Sequence, residues 1–175
     1  MWFHGNIQPL ILLFRLLKKK EHANRFKEKF CFFTKKRYPG KLLWFHGASV
    51  GEIQSIVPLI EKFEKNRDVG NILITSNTLS SSKIIEKLKF KKIIHQFFPI
   101  DNNLIVNKFI DHWKPSVALF VDSEIWPNML VNLEKRDIPI ISLNSRITKK
   151  SFKKWLRFKK FSKFIFGKFN LCLSS

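Results

Sequence analysis

The chain has two cysteines in 175 residues, Cys31 and Cys172. They stand alone, without metal-ligand spacing, so both read as small apolar residues suited to a reducing cytosol. No G-x-G-x-x-G or Walker-type glycine loop occurs, which leaves this stretch without a phosphate cradle of its own. The acidic residues do not cluster with histidine at ligand spacing, so no metal site is expected. No apolar run reaches the roughly 20 residues that a bilayer span needs. Ribonucleoprotein aromatic motifs, zinc-finger spacing and helix-turn-helix patterning are all missing, and nucleic acid is not an expected partner. Acidic residues are missing locally as well. Residues 146–175 carry 10 Lys and Arg and no Asp or Glu, and residues 1–41 carry 11 against 2, whereas residues 42–145 carry 12 against 11.

What is present is a neutral middle between two basic ends. A biased codon supply accounts for part of the lysine and phenylalanine, but a uniform bias does not load two ends and leave the centre balanced. The ends therefore read as a surface for an anionic partner, phosphorylated lipid in preference to nucleic acid. Residues 1–40 are taken as a basic amphipathic, membrane-associating segment and connection. In it Ile7–Leu17, followed by Lys18, Lys19 and Lys20, suits an interfacial anchor or a helix docked on the domain. A cleaved leader fits poorly, because the basic residues follow the apolar run and no A-x-A site is present. With 45% hydrophobic residues, the remaining chain 41–175 is enough for one packed domain.

From Lys41 the pattern alternates strand and helix, the rhythm of a doubly wound parallel sheet. Leu42–Phe45 is a continuous apolar run suited to a strand buried on both faces, and Ile53, Ile56, Val57, Ile60 and Phe63 recur at helical spacing. Further strands are expected at Asn71–Thr75, Ile93–Phe98, Val117–Val121, Ile138–Leu143 and Phe169–Leu173. Helices are expected near 80–89, from the Asp101 cap to Trp113, over 127–135, and as one helix from Lys149 to Phe166.

Polar residues recur after the strands: Ser49 and Glu52, Ser76–Thr78, Asp122–Glu124, and Asn144–Arg146. In a parallel sheet these strand ends share one edge, so the groups converge on one crevice. Ser76, Asn77 and Thr78 read as helix caps. Ser49-x-x-Glu52 matches a capping box, in which the Glu52 side chain returns to the Ser49 amide. A carboxylate in a glycine-flanked turn at that edge equally suits a general base. Glu124, before Ile-Trp-Pro, needs a partner or a task. Arg146 is a candidate partner, or a holder of phosphate. His46 reads as packing or orienting, and Trp44, Trp113, Trp126 and Trp155 as core or rim.

Three blocks carry a resemblance. His46-Gly47-Ala48-Ser49-Val50-Gly51-Glu52 resembles the H-x-x-SVGE signature of the 3-deoxy-D-manno-octulosonic acid (Kdo) transferases, Val121–Asn128 resembles their E-T-E-[IL]-W-P-N block, and Asn144-Ser145-Arg146 their N-A-R. Gly47 stands where the family usually has Ala, and Asp122-Ser123 replaces Glu-Thr. The resemblance covers about residues 40–175. It implies a Rossmann-like domain, the N-terminal, acceptor-binding domain of a GT-B glycosyltransferase, with the C-terminal donor-binding domain absent from this chain. It further implies inverting transfer of Kdo from CMP-Kdo to the lipid A precursor at the cytoplasmic face of the inner membrane. Glu52 would then be the proton acceptor, Glu124 the transition-state stabiliser, and Ser49, Gly51 and Arg146 substrate-binding, with no cofactor. Another GT-B sugar-nucleotide enzyme, or a non-catalytic module for anionic lipid or nucleic acid, is the alternative.

Overall fold

A strand with apolar side chains at every position from Leu42 to Phe45 must be covered on both faces. In the computed structural model, which describes residues 21–22, 24–122 and 124–174, strand β1 (Lys41–His46) lies inside a six-stranded sheet and meets that requirement. The chain then runs through α1 (Val50–Lys65), β2 (Val69–Ser76), α2 (Leu79–Lys87), β3 (Ile93–Phe97), α3 (Asn103–Trp113) and β4 (Val117–Val121). It ends with α4 (Pro127–Glu134), β5 (Ile140–Ser145), α5 (Lys149–Leu156), α6 (Lys159–Phe166) and β6 (Leu171–Ser174). The strand order is β3-β2-β1-β4-β5-β6, and every neighbouring pair is parallel. This is the doubly wound Rossmann order, whose winding reverses between β1 and β4 and so opens a crevice at their C-terminal ends. The expected α/β, Rossmann-like sheet is what the chain forms.

Period two along β1 divides the core. Leu42 and Trp44 join Phe120, Phe109, Trp113 and Leu130 on one face, under α3 and α4. Leu43 and Phe45 join Ile53, Ile56, Ile60, Ile74 and Ile85 on the other, under α1 and α2. Fully burying side chains of this size stabilises by roughly 1.5–3 kcal/mol each.

Residues 21–40, grouped by sequence with the N-terminal segment, pack onto the sheet. Cys31 is buried in the core, where burial pushes its thiol up to about 12. Glu28, in the 3-10 helix Phe26–Phe30, is fully buried and accepts from Arg25 Nε (2.8 Å), the Phe97 amide (3.0 Å) and Thr34 Oγ1 (2.6 Å). A buried carboxylate held this way is compensated. Arg25 also reaches His95 Nδ1 at 2.9 Å. A guanidinium only donates, so Nδ1 is the bare nitrogen and Nε2–H faces Ser76 Oγ at 3.0 Å. Burial, then Arg25 and Lys35, lower His95 to about 3. The anchor expected over residues 7–20 lies outside the described residues. No helix among the described residues is long and apolar enough to cross a membrane.

Two sequence expectations change. Asn102, not Asp101, caps α3, its Oδ1 accepting from the Leu104 amide at 3.0 Å. Asp101 instead accepts from the Met129 (2.9 Å) and Asn128 (3.2 Å) amides, and so caps α4 from a distant part of the chain. The single helix expected over 149–166 is two helices. Phe158 leaves helical geometry (φ −121, ψ 52), and the Ser162 hydroxyl donates to the Trp155 carbonyl (2.6 Å), with the Phe158 carbonyl 3.0 Å away as the other acceptor. The fold-back brings Phe166 edge-on to Trp155, with ring centroids 5.0 Å apart.

Candidate functional site

The site begins where β1 ends. The Gly47 amide continues the ladder to the Thr75 carbonyl (3.1 Å), and Ser49 turns the chain into α1 as its N-cap. Glu52 sits in the first helical turn, half-buried. Its Oε1 accepts from Ser49 Oγ at 2.6 Å and its Oε2 from the Ala48 amide at 2.8 Å, while Ser49 Oγ accepts from the Glu52 amide at 3.4 Å. The capping geometry is therefore real but shifted, since the carboxylate takes the Ala48 amide and the Ser49 hydroxyl and not the Ser49 amide. Two hydrogen bonds fix where it points, as a positioned base requires. Neither glycine of the turn takes a positive φ. Gly47 instead permits close approach, for a Cβ there would lie 2.9 Å from Ile53 Cδ1. Around exposed Gly51 a Cβ would meet nothing within 4 Å, so the helix start is open.

Across the switch point, the chain after β4 delivers Glu124. Its Oε2 accepts from Trp126 Nε1 (2.8 Å) and faces His46 Nε2 at 3.3 Å. Burial raises this carboxyl, but the hydrogen bond and charge of His46 and the Trp126 bond outweigh it, so the net shift is downward. Oε1 takes no hydrogen bond among the described residues, which leaves one oxygen clamped and one available. The Trp-Pro-Asn turn beyond it is pinned by Asp101, whose carbonyl accepts from Asn128 Nδ2 at 2.8 Å. Burial raises Asp101, and the bonds from Met129 and Asn128 oppose the rise.

Two strand ends on this edge are bent the same way. Asp122 (φ 61) and Asn144 (φ 54) occupy the left-handed region, where Asp and Asn are among the residues most tolerated. Asn144 Nδ2 donates to Ser55 Oγ on α1 at 3.3 Å, linking the end of β5 to the helix that carries Glu52. Arg146 follows on the same edge and is exposed, as is Ser49. Ser123 lies outside the described residues. Thr78 is the cap expected of it, accepting from the Ser81 amide at 3.1 Å. Among the described residues, no three of His, Cys, Asp and Glu come together where a metal could be held.

Sequence reasoning placed both glutamates on this edge and found Ser49 beside Glu52, but missed what holds Glu124. The Glu124 partners are His46 and Trp126; Thr75 stands behind His46, and Asp101 holds the Asn128 and Met129 amides just beyond Trp126. Thr75 and His46 are 29 residues apart and Asp101 and Asn128 are 27 apart, so no local pattern joins them.

The family model for 3-deoxy-D-manno-octulosonic-acid transferase (kdotransferase) matches residues 24–175. A probable mitochondrial 3-deoxy-D-manno-octulosonic acid transferase of Arabidopsis thaliana is 36% identical over 152 residues, covering 85% of this chain and 34% of the relative. The enzyme of that name from Rickettsia typhi is 40% identical over 133 residues, 76% of this chain and 29% of its own. The Rickettsia bellii relative is 34% identical over 161 residues, 92% and 38%. This chain thus spans about a third of the length of these relatives. A solved structure titled putative UDP-N-acetylglucosamine 2-epimerase, from Listeria monocytogenes, superposes with a TM-score of 0.54 at 9% identity, over 78% of this chain and 38% of that one. That likeness concerns the fold alone.

Proposed function

The chain belongs to the 3-deoxy-D-manno-octulosonic acid transferase family, and from that premise we propose that it is the acceptor-side half of an inverting GT-B glycosyltransferase. The reaction moves Kdo from CMP-Kdo to a hydroxyl of the lipid A precursor. The observation that carries this reading is that two carboxylates, Glu52 after β1 and Glu124 after β4, are each held by hydrogen bonds beyond the same ends of two neighbouring strands at the switch point. Glu52 takes the acceptor proton as the hydroxyl attacks the anomeric carbon. Glu124, lowered and therefore ionised near neutral pH, sets negative charge beside the oxocarbenium-like centre and is unsuited to giving up a proton. Ser49 and the open helix start at Gly51 border the acceptor hydroxyl, and Arg146 meets acceptor phosphate.

The donor then binds mainly on the portion of the relatives that this chain does not span. Membrane attachment at the cytoplasmic face falls to the basic ends. In the described residues that surface is α5 and α6, where Phe152, Phe158, Phe161 and Phe164 are exposed among Lys149, Lys150, Lys153, Lys154, Lys159, Lys160 and Lys163. The test is transfer from CMP-Kdo to lipid A precursor. Residues 1–175 alone give no product, and product forms when the remaining portion of a family member is supplied on a second chain. Turnover by the lone chain, free of host enzyme, would overturn this division of labour.

A further inference from the structure

His46 is fully buried, yet it lies against a half-exposed carboxylate. Phe98 stacks on its ring at 3.9 Å, and Phe120 and Trp126 stand edge-on at 5.8 and 6.2 Å. Those rings fix the imidazole plane, and the nitrogens are fixed separately. An ionised Glu124 only accepts, so the 3.3 Å contact requires a hydrogen on Nε2. On the other side, Nδ1 faces two groups of a single residue, Thr75 Oγ1 at 3.0 Å and the Thr75 carbonyl at 3.2 Å. With hydrogen on Nε2, the Thr75 hydroxyl can donate to the bare Nδ1 at 3.0 Å in preference to the more distant Phe45 carbonyl at 3.4 Å. Thr75 Oγ1 is itself held, because it accepts from Trp44 Nε1 at 2.9 Å.

We propose that His46 and Thr75 are positioning residues for Glu124: a hydrogen-bonded line from Trp44 through Thr75 and His46 clamps Oε2, so that Oε1 is the oxygen offered to substrate. The line crosses three adjacent strands, with Thr75 on β2, Trp44 and His46 on β1, and Glu124 after β4. It therefore ties the aim of a loop carboxylate to the register of the sheet. Trp126 adds a second donor to the same oxygen, and with both donors on Oε2 the carboxylate cannot rotate without losing two bonds. A buried histidine needs a partner at each ring nitrogen in any case; what sets His46 apart is that its Nε2 partner is a carboxylate at the strand-end edge, which remains partly open to solvent.

The proposal rests on Glu124 acting on substrate, and the experiment separates the two claims. Nitrogen-15 spectra of residues 1–175 should show His46 Nε2 carrying hydrogen, with that proton's signal moving in Glu124→Gln. A bare Nε2 would overturn the clamp whatever the reaction proves to be. In a complete enzyme containing this segment, His46→Phe should cost on the order of 10²-fold in kcat with KM little changed, the scale expected of misplacing a reacting group. Thr75→Val should cost less in the same sense, and Thr75→Ser, which keeps the hydroxyl, should restore turnover. Loss of melting temperature in both His46→Phe and Thr75→Val with kcat and KM intact would show a packing role and sink the proposal. If Glu124→Gln leaves turnover unchanged while the Nε2–H signature persists, the clamp stands and the role given to Glu124 fails.

Discussion

The sheet and the C-terminal helix pair use the same residue types to opposite ends. In residues 42–145 charge is nearly balanced and Phe45, Phe97, Phe109 and Phe120 are at most 1% exposed. In residues 146–175 no acid occurs, and Phe152, Phe158, Phe161, Phe164 and Phe166 are 37–64% exposed beside lysines. Phenylalanine in the first region is closed in by the fold, whereas in the second Phe161 and Phe166 pack on Trp155 and Phe164 lies under Lys168 while the rings stay exposed to solvent. Contiguous exposed apolar surface rimmed by charge marks an interaction site. On the function proposed above, the first region would aim the chemistry and the second would hold the chain near its acceptor.

That contrast can be broken most directly by making one substitution in both regions. Phe109→Ala should destabilise residues 1–175 by about 3–5 kcal/mol, as large-to-small changes in a closed core do. Phe164→Ala should stay within about 0.5 kcal/mol, as surface changes do. Chemical denaturation of both variants checks this, and equal losses would mean that α6 is core.

Acid should divide the regions next. The folded value of His95, about 3, lies below the ordinary 6.5, so the unfolded chain takes up the proton first as pH falls. Stability from this group is complete above about 6.5 and is lost progressively toward 3. His95→Asn, whose oxygen can still accept from Arg25, should flatten melting temperature against pH across that window. Removing any of the exposed helix-pair lysines should leave the profile unchanged. Glu124, shifted the other way from a raised acid, holds its contribution above the ordinary carboxylate range and loses it as pH falls through its own lowered value.

The smallest effect belongs to the surface. Each lysine near an anionic membrane is worth about 1 kcal/mol, so Lys153→Gln together with Lys160→Gln should weaken co-sedimentation with phosphatidylglycerol vesicles by roughly 30-fold, with melting unmoved. Unchanged binding would remove α5 and α6 from the membrane surface.

How much of this was legible in the sequence follows the range of each interaction. Apolar period showed β1 and α1 because both signals are local, and the parallel order followed from their alternation. The capping box at Ser49 and Glu52 was legible for the same reason, though its return to Ala48 depends on turn geometry that spacing does not carry. Asp101 was misassigned because an acid before a helix looks like that helix's own cap, and only packing of the chain after β3 against the start of α4 gives it another. The break at Phe158 was hidden by a lysine-rich pattern that stays amphipathic through the turn. His46 showed a strand-end histidine and nothing of Thr75 or Glu124, which reach it from two other strands.

The central claim is that Glu52, although it closes a helix cap, is there for chemistry. Glu52→Gln in a complete enzyme containing this segment, with turnover and melting measured on the same preparation, tests it. The account predicts a loss of roughly 10²- to 10⁴-fold in transfer, accompanied by no more than about 1 kcal/mol of stability from the weakened cap. Transfer largely kept while melting falls by the cost of a cap would contradict it, and would return Glu52 to the end of α1 as a structural residue.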